Sequence, residues 1–172
     1  MKSLKVIITD SGLGGISVAA KIENWLRQSK LSQNVELIFF NSLPDNTTGY
    51  NRMNSDSAKI KTFNSALTGM INKFDPDLIV IACNTLSVIF TETEFAKNSD
   101  IPVLGIIDTG TNIIFEKLSG NSNSAVVILG TETTINSAAH RHNLIEMGID
   151  ENRIINRHCR YLESEIQKEP FG

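Results

Sequence analysis

Cysteine is scarce in this chain: 172 residues hold two, Cys83 and Cys159. Neither belongs to a CxxC or a Cys/His cluster, so no metal-ligand spacing is present. The N-terminus runs straight into a short strand and not a leader-like segment, which sets a cytoplasmic expectation with reduced thiols. A Cys83–Cys159 pairing stays open on sequence grounds. No apolar run approaches the roughly 18 residues of a membrane span. Positive charge is not in excess either: 16 Lys and Arg stand against 19 Asp and Glu, for a net charge of −3. That balance lacks the footprint of a nucleic-acid binder. The basic residues Arg153, Arg157, His158 and Arg160 alternate with apolar ones and read as a solvated face. Two nucleotide signatures are missing as well. Gly12, Gly14 and Gly15 do not fit GxGxxG, no ribose-binding acid follows the second strand, and there is no lysine-containing phosphate loop.

What is there is an ordinary globular composition, 41% hydrophobic and 20% charged. Strand and helix patterns alternate along it. Strands are expected over Leu4–Thr9, Val35–Phe40, Leu78–Ala82, Val103–Ile107, Ala125–Leu129 and Arg153–Asn156. Helices are expected over Ile16–Gln28, from Ser55 or Asp56 through Met70, over Ser87–Lys97, Thr111–Leu118, from the Gly130 turn to Met147, and over Tyr161–Lys168. The first helix offers Ile16, Ala19, Ala20, Ile22 and Leu26 as its apolar face. Gly148 fits a helix C-terminal cap. This order predicts an α/β fold, a parallel sheet with helices on both faces. Asp108-Thr109-Gly110 reads as a crossing between a first domain, 1–107, and a second, 108–172. The segment 41–54 is long and polar, which in compact domains marks a functional or mobile loop.

The stretch Asp77-Leu-Ile-Val-Ile-Ala-Cys-Asn-Thr-Leu86 organises the rest. Leu78 to Ala82 run apolar without alternation, as a strand buried on both faces does. Cys83 then falls at the strand's carboxyl end, where open α/β sheets place their chemistry, and beside a helix start that favours a thiolate. The same position suits a small buried hydrophobe; the polar neighbours Asn84 and Thr85 favour a working thiol. Asp10 also ends a strand, where its carboxylate can face a site or cap a helix. Gly130-Thr-Glu-Thr-Thr134 is a third polar cluster at a strand end. His140 and His142 read as surface residues on the helix that follows.

Asp10-Ser-Gly-Leu-Gly-Gly15, Ala82-Cys-Asn-Thr85 and Gly130-Thr-Glu-Thr-Thr-Ile-Asn-Ser137, in that order, resemble the aspartate/glutamate racemase superfamily, most closely its glutamate racemases. The resemblance runs from Val6 to about Ile166. It implies two similar α/β domains with the active site between them and cofactor-independent inversion of a small dicarboxylic amino acid, glutamate or aspartate. D-glutamate for the bacterial cell wall would be the product. In that family one cysteine removes the α-proton and a second reprotonates the opposite face. Cys83 matches the first, and Asp10 lies near it as a catalytic and amino-group-binding residue. Ser11, Asn84 and Thr85 match substrate-holding residues, as do Thr131 and Thr134 of the second domain. A homodimer is an open arrangement.

The chain departs from that pattern twice. The family's second cysteine lies in Gly-Cys-Thr-His, which these 172 residues do not contain; the second domain is expected to be incomplete here, and Cys159 matches a non-catalytic position. Where the family has Pro-Tyr-Gly, this sequence reads Thr47-Thr48-Gly49. Thr48 and Gly49 then take the substrate-contacting places, or a shift of one lets Tyr50 serve. Two alternatives stay open: a single-cysteine relative such as a decarboxylase or another isomerase, and a non-catalytic small-acid binder.

Overall fold

Strand β1 (Leu4–Asp10) is buried from Val6 onward and is hydrogen-bonded on both sides. It pairs in parallel with β2 (Val35–Asn41) and with β3 (Leu78–Ile81), Val6 lying opposite both Leu37 and Leu78. The shorter β4 (Val103–Gly105) adds to β3, giving a four-stranded parallel sheet in the order β2-β1-β3-β4. The structure is a computed structural model that describes residues 3–29, 34–44, 49–162 and 165. Its chain divides into two units, Met1–Ile106 and Ile107–Gly172.

In the first unit, helix α1 (Gly14–Gln28) follows β1 and helix α2 (Asp56–Phe74) follows β2. Adjacent residues of a strand point to opposite faces. Phe39 meets Gly15 of α1, while Phe40 meets the ring of Phe74 in α2 edge-on at 6.4 Å. The two helices therefore cover opposite faces of the sheet. Ser55 caps α2, its side chain accepting from the Ala58 N–H at 3.2 Å. Phe63, Leu67 and Met70 then bury fully against Ile7, Ile79 and Ile81 of the strands.

Several expectations are corrected here. Helix α1 buries only Gly15 fully; Ile16 is 47% exposed and Ala20 is exposed too, so the apolar face is narrower than the sequence suggests. The helix expected over Ser87–Lys97 is two helices, α3 (Asn84–Phe90) and α4 (Glu94–Asn98). Thr93 makes the break, accepting from the Ala96 N–H at 3.1 Å and donating to the Phe90 carbonyl at 2.7 Å. β4 is an edge strand with Leu104 57% exposed, and Asp108–Gly110 lie inside the first turn of α5 (Ile107–Ser119).

The second unit holds α5, the parallel pair β5 (Val126–Gly130) and β6 (Ile154–His158), and the helices α6 (Glu132–Ser137) and α7 (Ala139–Glu146). Leu118, Ile128, Leu144, Ile149 and Ile154 form its core. One helix expected up to Met147 is split at Ala138, whose φ of 52° is left-handed. Gly148, at φ 93°, ends α7 in the conformation glycine alone adopts freely. Two expected surface residues are not on the surface. His140 is buried, and loss of water holds its imidazole below the usual range. Arg153 donates to the carbonyls of Leu118, Asn121 and Ser124 at 2.7–2.8 Å, tying down the loop after α5. The helix expected over Tyr161–Lys168 falls largely outside the described residues.

Two glycines of the first unit predict opposite responses to alanine. A Cβ on Gly15 would stand 2.6 Å from Cβ of Asp10 and 3.0 Å from the Phe39 ring, whereas one on Gly69 meets nothing within 4 Å. Gly15→Ala should cost about 1–3 kcal/mol through overpacking. Gly69→Ala, in the middle of α2, should gain about 0.5–1 kcal/mol. Denaturant midpoints of the two variants check both signs.

Candidate active site

The chain passes from β1 to β2 on one side and returns to β3 on the other, so the strand order reverses between β1 and β3. Open α/β sheets bind ligands outside the carboxyl ends of the strands at such a point. The Ala82 N–H donates to the Thr9 carbonyl at 2.8 Å, which carries the pairing past the last ladder residue. Asp10 and Ser11 thereby come beside Cys83.

The turn after β1 is built on the Asp10 carboxylate. Its two oxygens accept the N–H groups of Ser11, at 2.7 Å, and Gly15, at 2.5 Å. Leu13 occupies the cap position of α1 without a side-chain oxygen to offer, so Asp10 supplies the cap from the strand end. The close approach is why position 15 carries no side chain. Asp10 is itself buried, and its charge is held by these donors.

Cys83 is half-buried at the cap position of α3. Its Sγ lies 3.2 Å from the Ser11 hydroxyl. Burial pushes the thiol up, and the neighbouring Asp10 charge pushes it further; the Ser11 hydroxyl and the N–H groups of Leu86 and Ser11 pull it down without reversing the shift. The resting sulfur is therefore a protonated thiol at neutral pH. This differs from the thiolate that the helix start alone suggests, because desolvation and a like charge outweigh a few donors.

The sites read from sequence fall as follows. Asp10, Ser11 and Cys83 converge. Asn84 is exposed and Thr85 buried on the first turn of α3. Gly49 lies next to Tyr50, and Thr48 lies outside the described residues. In the second unit Thr131 caps α6, and its hydroxyl and that of Thr134 are 3.1 Å apart. Sequence reasoning gave Tyr50 too little weight. It is 2% exposed inside the core, at the start of a 3₁₀ turn, Tyr50–Arg52. The signal was available: it is the one aromatic residue in an otherwise polar segment.

Residues 7–170 match the Asp/Glu/Hydantoin racemase family. The chain belongs to that family. Among named relatives, the glutamate racemase of Helicobacter acinonychis is 30% identical over 145 residues, covering 84% of this chain and 52% of the relative. That of Staphylococcus haemolyticus is 31% identical over 137 residues, 80% and 46% of the respective chains. The chain thus spans about half the length of the relatives it matches. Its fold is similar to the glutamate racemases of Campylobacter jejuni (TM-score 0.77, 24% identity, 98% of this chain and 62% of that one) and Francisella tularensis in complex with D-glutamate (0.78, 21%, 100% and 59%). The parallel, helix-covered α/β fold expected from the sequence is the fold of this racemase family. Among the described residues no helix is long and apolar enough to cross a membrane.

The opposing influences on Cys83 predict its titration. Alkylation by iodoacetamide should be slow at pH 7 and reach half its maximal rate above about pH 8.5, the ordinary thiol value. Ser11→Ala removes a donor that favours the thiolate and should move that midpoint higher still. A parent midpoint at or below 8.5 would contradict the balance described.

Proposed function

We propose that this racemase-family chain removes the α-proton of a small dicarboxylic amino acid, glutamate, with Cys83 as the base and without a cofactor. The observation that carries the reading is the meeting of Cys83 Sγ, the Ser11 hydroxyl and the Asp10 carboxylate at the sheet's switch point. An α-proton is a weak acid, so its base must be close and oriented. The resting thiol is held protonated in part by Asp10. An amino-acid substrate brings an ammonium group. Placed against Asp10, that cation cancels the charge that opposes the thiolate, so binding itself generates the base. Asn84 and Thr85, on the first turn of α3, are assigned to the substrate, with donors available for the charge that develops on its carboxylate. Gly49 and Thr48 are assigned to substrate contact, and Thr131 and Thr134 to carboxylate binding, on the family resemblance alone. The complete cycle interconverts L- and D-glutamate in the cytoplasm and supplies peptidoglycan synthesis.

One sequence observation favours a narrower reading. Inversion needs an acid on the face opposite the base, and the 172 residues contain no Gly-Cys-Thr-His. Cys83 alone exchanges the α-proton with retention. Incubation of L-glutamate in deuterated water separates the two readings. Deuterium at Cα with D-glutamate formation supports racemisation, and deuterium with retention supports the one-sided reaction. In either case Cys83→Ala should lower exchange by about 10²–10⁴-fold. Exchange at the parent rate in that variant would remove Cys83 from the mechanism.

A further inference from the structure

Tyr50 has no part in the function proposed above, yet it is the costliest residue near the sulfur. Its side chain is 2% exposed, and its ring meets that of Phe63 edge-on at 6.5 Å. Its hydroxyl has no hydrogen-bond partner among the described residues. A buried hydroxyl without a partner is unfavourable, and phenylalanine would fill the same space without that penalty. The apolar cluster that encloses Tyr50 is the one against which Cys83 packs.

We propose that Tyr50 is a positioning residue for Cys83, its buried hydroxyl donating a hydrogen bond to Sγ once the thiol gives up its proton. The inference rests on the reading of Cys83 as the base and adds the group that steadies it. A neutral thiol is a weak acceptor and an anionic sulfur a strong one. The bond therefore matters only in the deprotonated state, which is why the hydroxyl stands idle in the resting structure. The phenol stays a donor throughout, because burial and the nearby Cys83 charge push its own ionisation far up. The titratable groups whose charges act with Cys83 among the described residues are Asp10 and Tyr50. Asp10 opposes the thiolate, and the Ser11 hydroxyl with the N–H groups of Ser11 and Leu86 favours it. Tyr50 joins the favouring set from a separate segment of the chain.

The test is Tyr50→Phe in the full chain, read by iodoacetamide alkylation against pH with peptide-resolved detection, so that Cys83 is followed apart from Cys159. The midpoint for Cys83 should rise by about one pH unit, a tenfold loss of thiolate at fixed pH below it. The melting temperature should equal or exceed the parent's. An unchanged midpoint overturns the proposal; a higher KM for glutamate without a midpoint shift would assign the hydroxyl to the ligand instead. A melting temperature well below the parent's overturns it too, because the hydroxyl would then be paired within the fold. Alkylation needs no turnover, so a chain that fails to act on glutamate leaves this test intact.

Discussion

The pairing of β1 with β3 is the constraint on which the first unit depends. Residues far apart in sequence reach the sulfur only because these two strands lie side by side in register, with the Ala82 N–H closing on the Thr9 carbonyl at 2.8 Å. Ser11 and Cys83 are separated by 72 positions, yet their side-chain oxygen and sulfur stand 3.2 Å apart. Apolar burial supplies the force: Ile7, Ile8, Ile79 and Ile81 are fully buried, so a slip of one residue would turn them to the wrong faces. The polar ends of both strands then have one place to go, beyond the carboxyl edge of the sheet. Fold and site are one consequence of the same register.

Asp10 links these levels most directly. It ends a strand, caps a helix and sets the charge beside a thiol, all through one carboxylate. The glycine at position 15 follows from that arrangement, since a side chain there would collide with Asp10 itself. A sequence-level rule about glycine-rich turns points toward phosphate, and here the turn serves an internal anion. The absence of GxGxxG spacing and of a phosphate-loop lysine already argued against nucleotide, and the geometry gives the positive reason.

Much of this was legible in the residues. Buried strands announce themselves by unbroken apolar runs, and α2 by Ser55 ahead of a 3.6-residue period. What was not legible has identifiable causes. The break at Thr91–Thr93 uses no glycine or proline; a threonine side chain substitutes for the helix's own hydrogen bonds, and threonine also occurs inside helices. Ala138 adopts a left-handed φ with nothing in its identity to say so. The period of α1 shows what it could bury, but Ile16 and Trp25 remain 47% and 60% exposed because the sheet beneath reaches only part of it. Arg153 looked like surface charge, since local sequence cannot show that three carbonyls from a distant loop will converge on it. Asp10, Ser11 and Cys83 could each be picked out as strand-end residues; that they meet depends on strand order, which periodicity does not encode. Tyr50 was hidden by the polar company it keeps.

The state of Cys83 between encounters with ligand has a chemical consequence of its own. Peroxide and other oxidants attack the sulfur anion, and the ladder from sulfenic to sulfonic acid begins there. A thiol kept protonated by desolvation and by the Asp10 charge offers little of that anion. Such a sulfur ages slowly in an oxidising spell, and becomes vulnerable only while the charge beside it is neutralised.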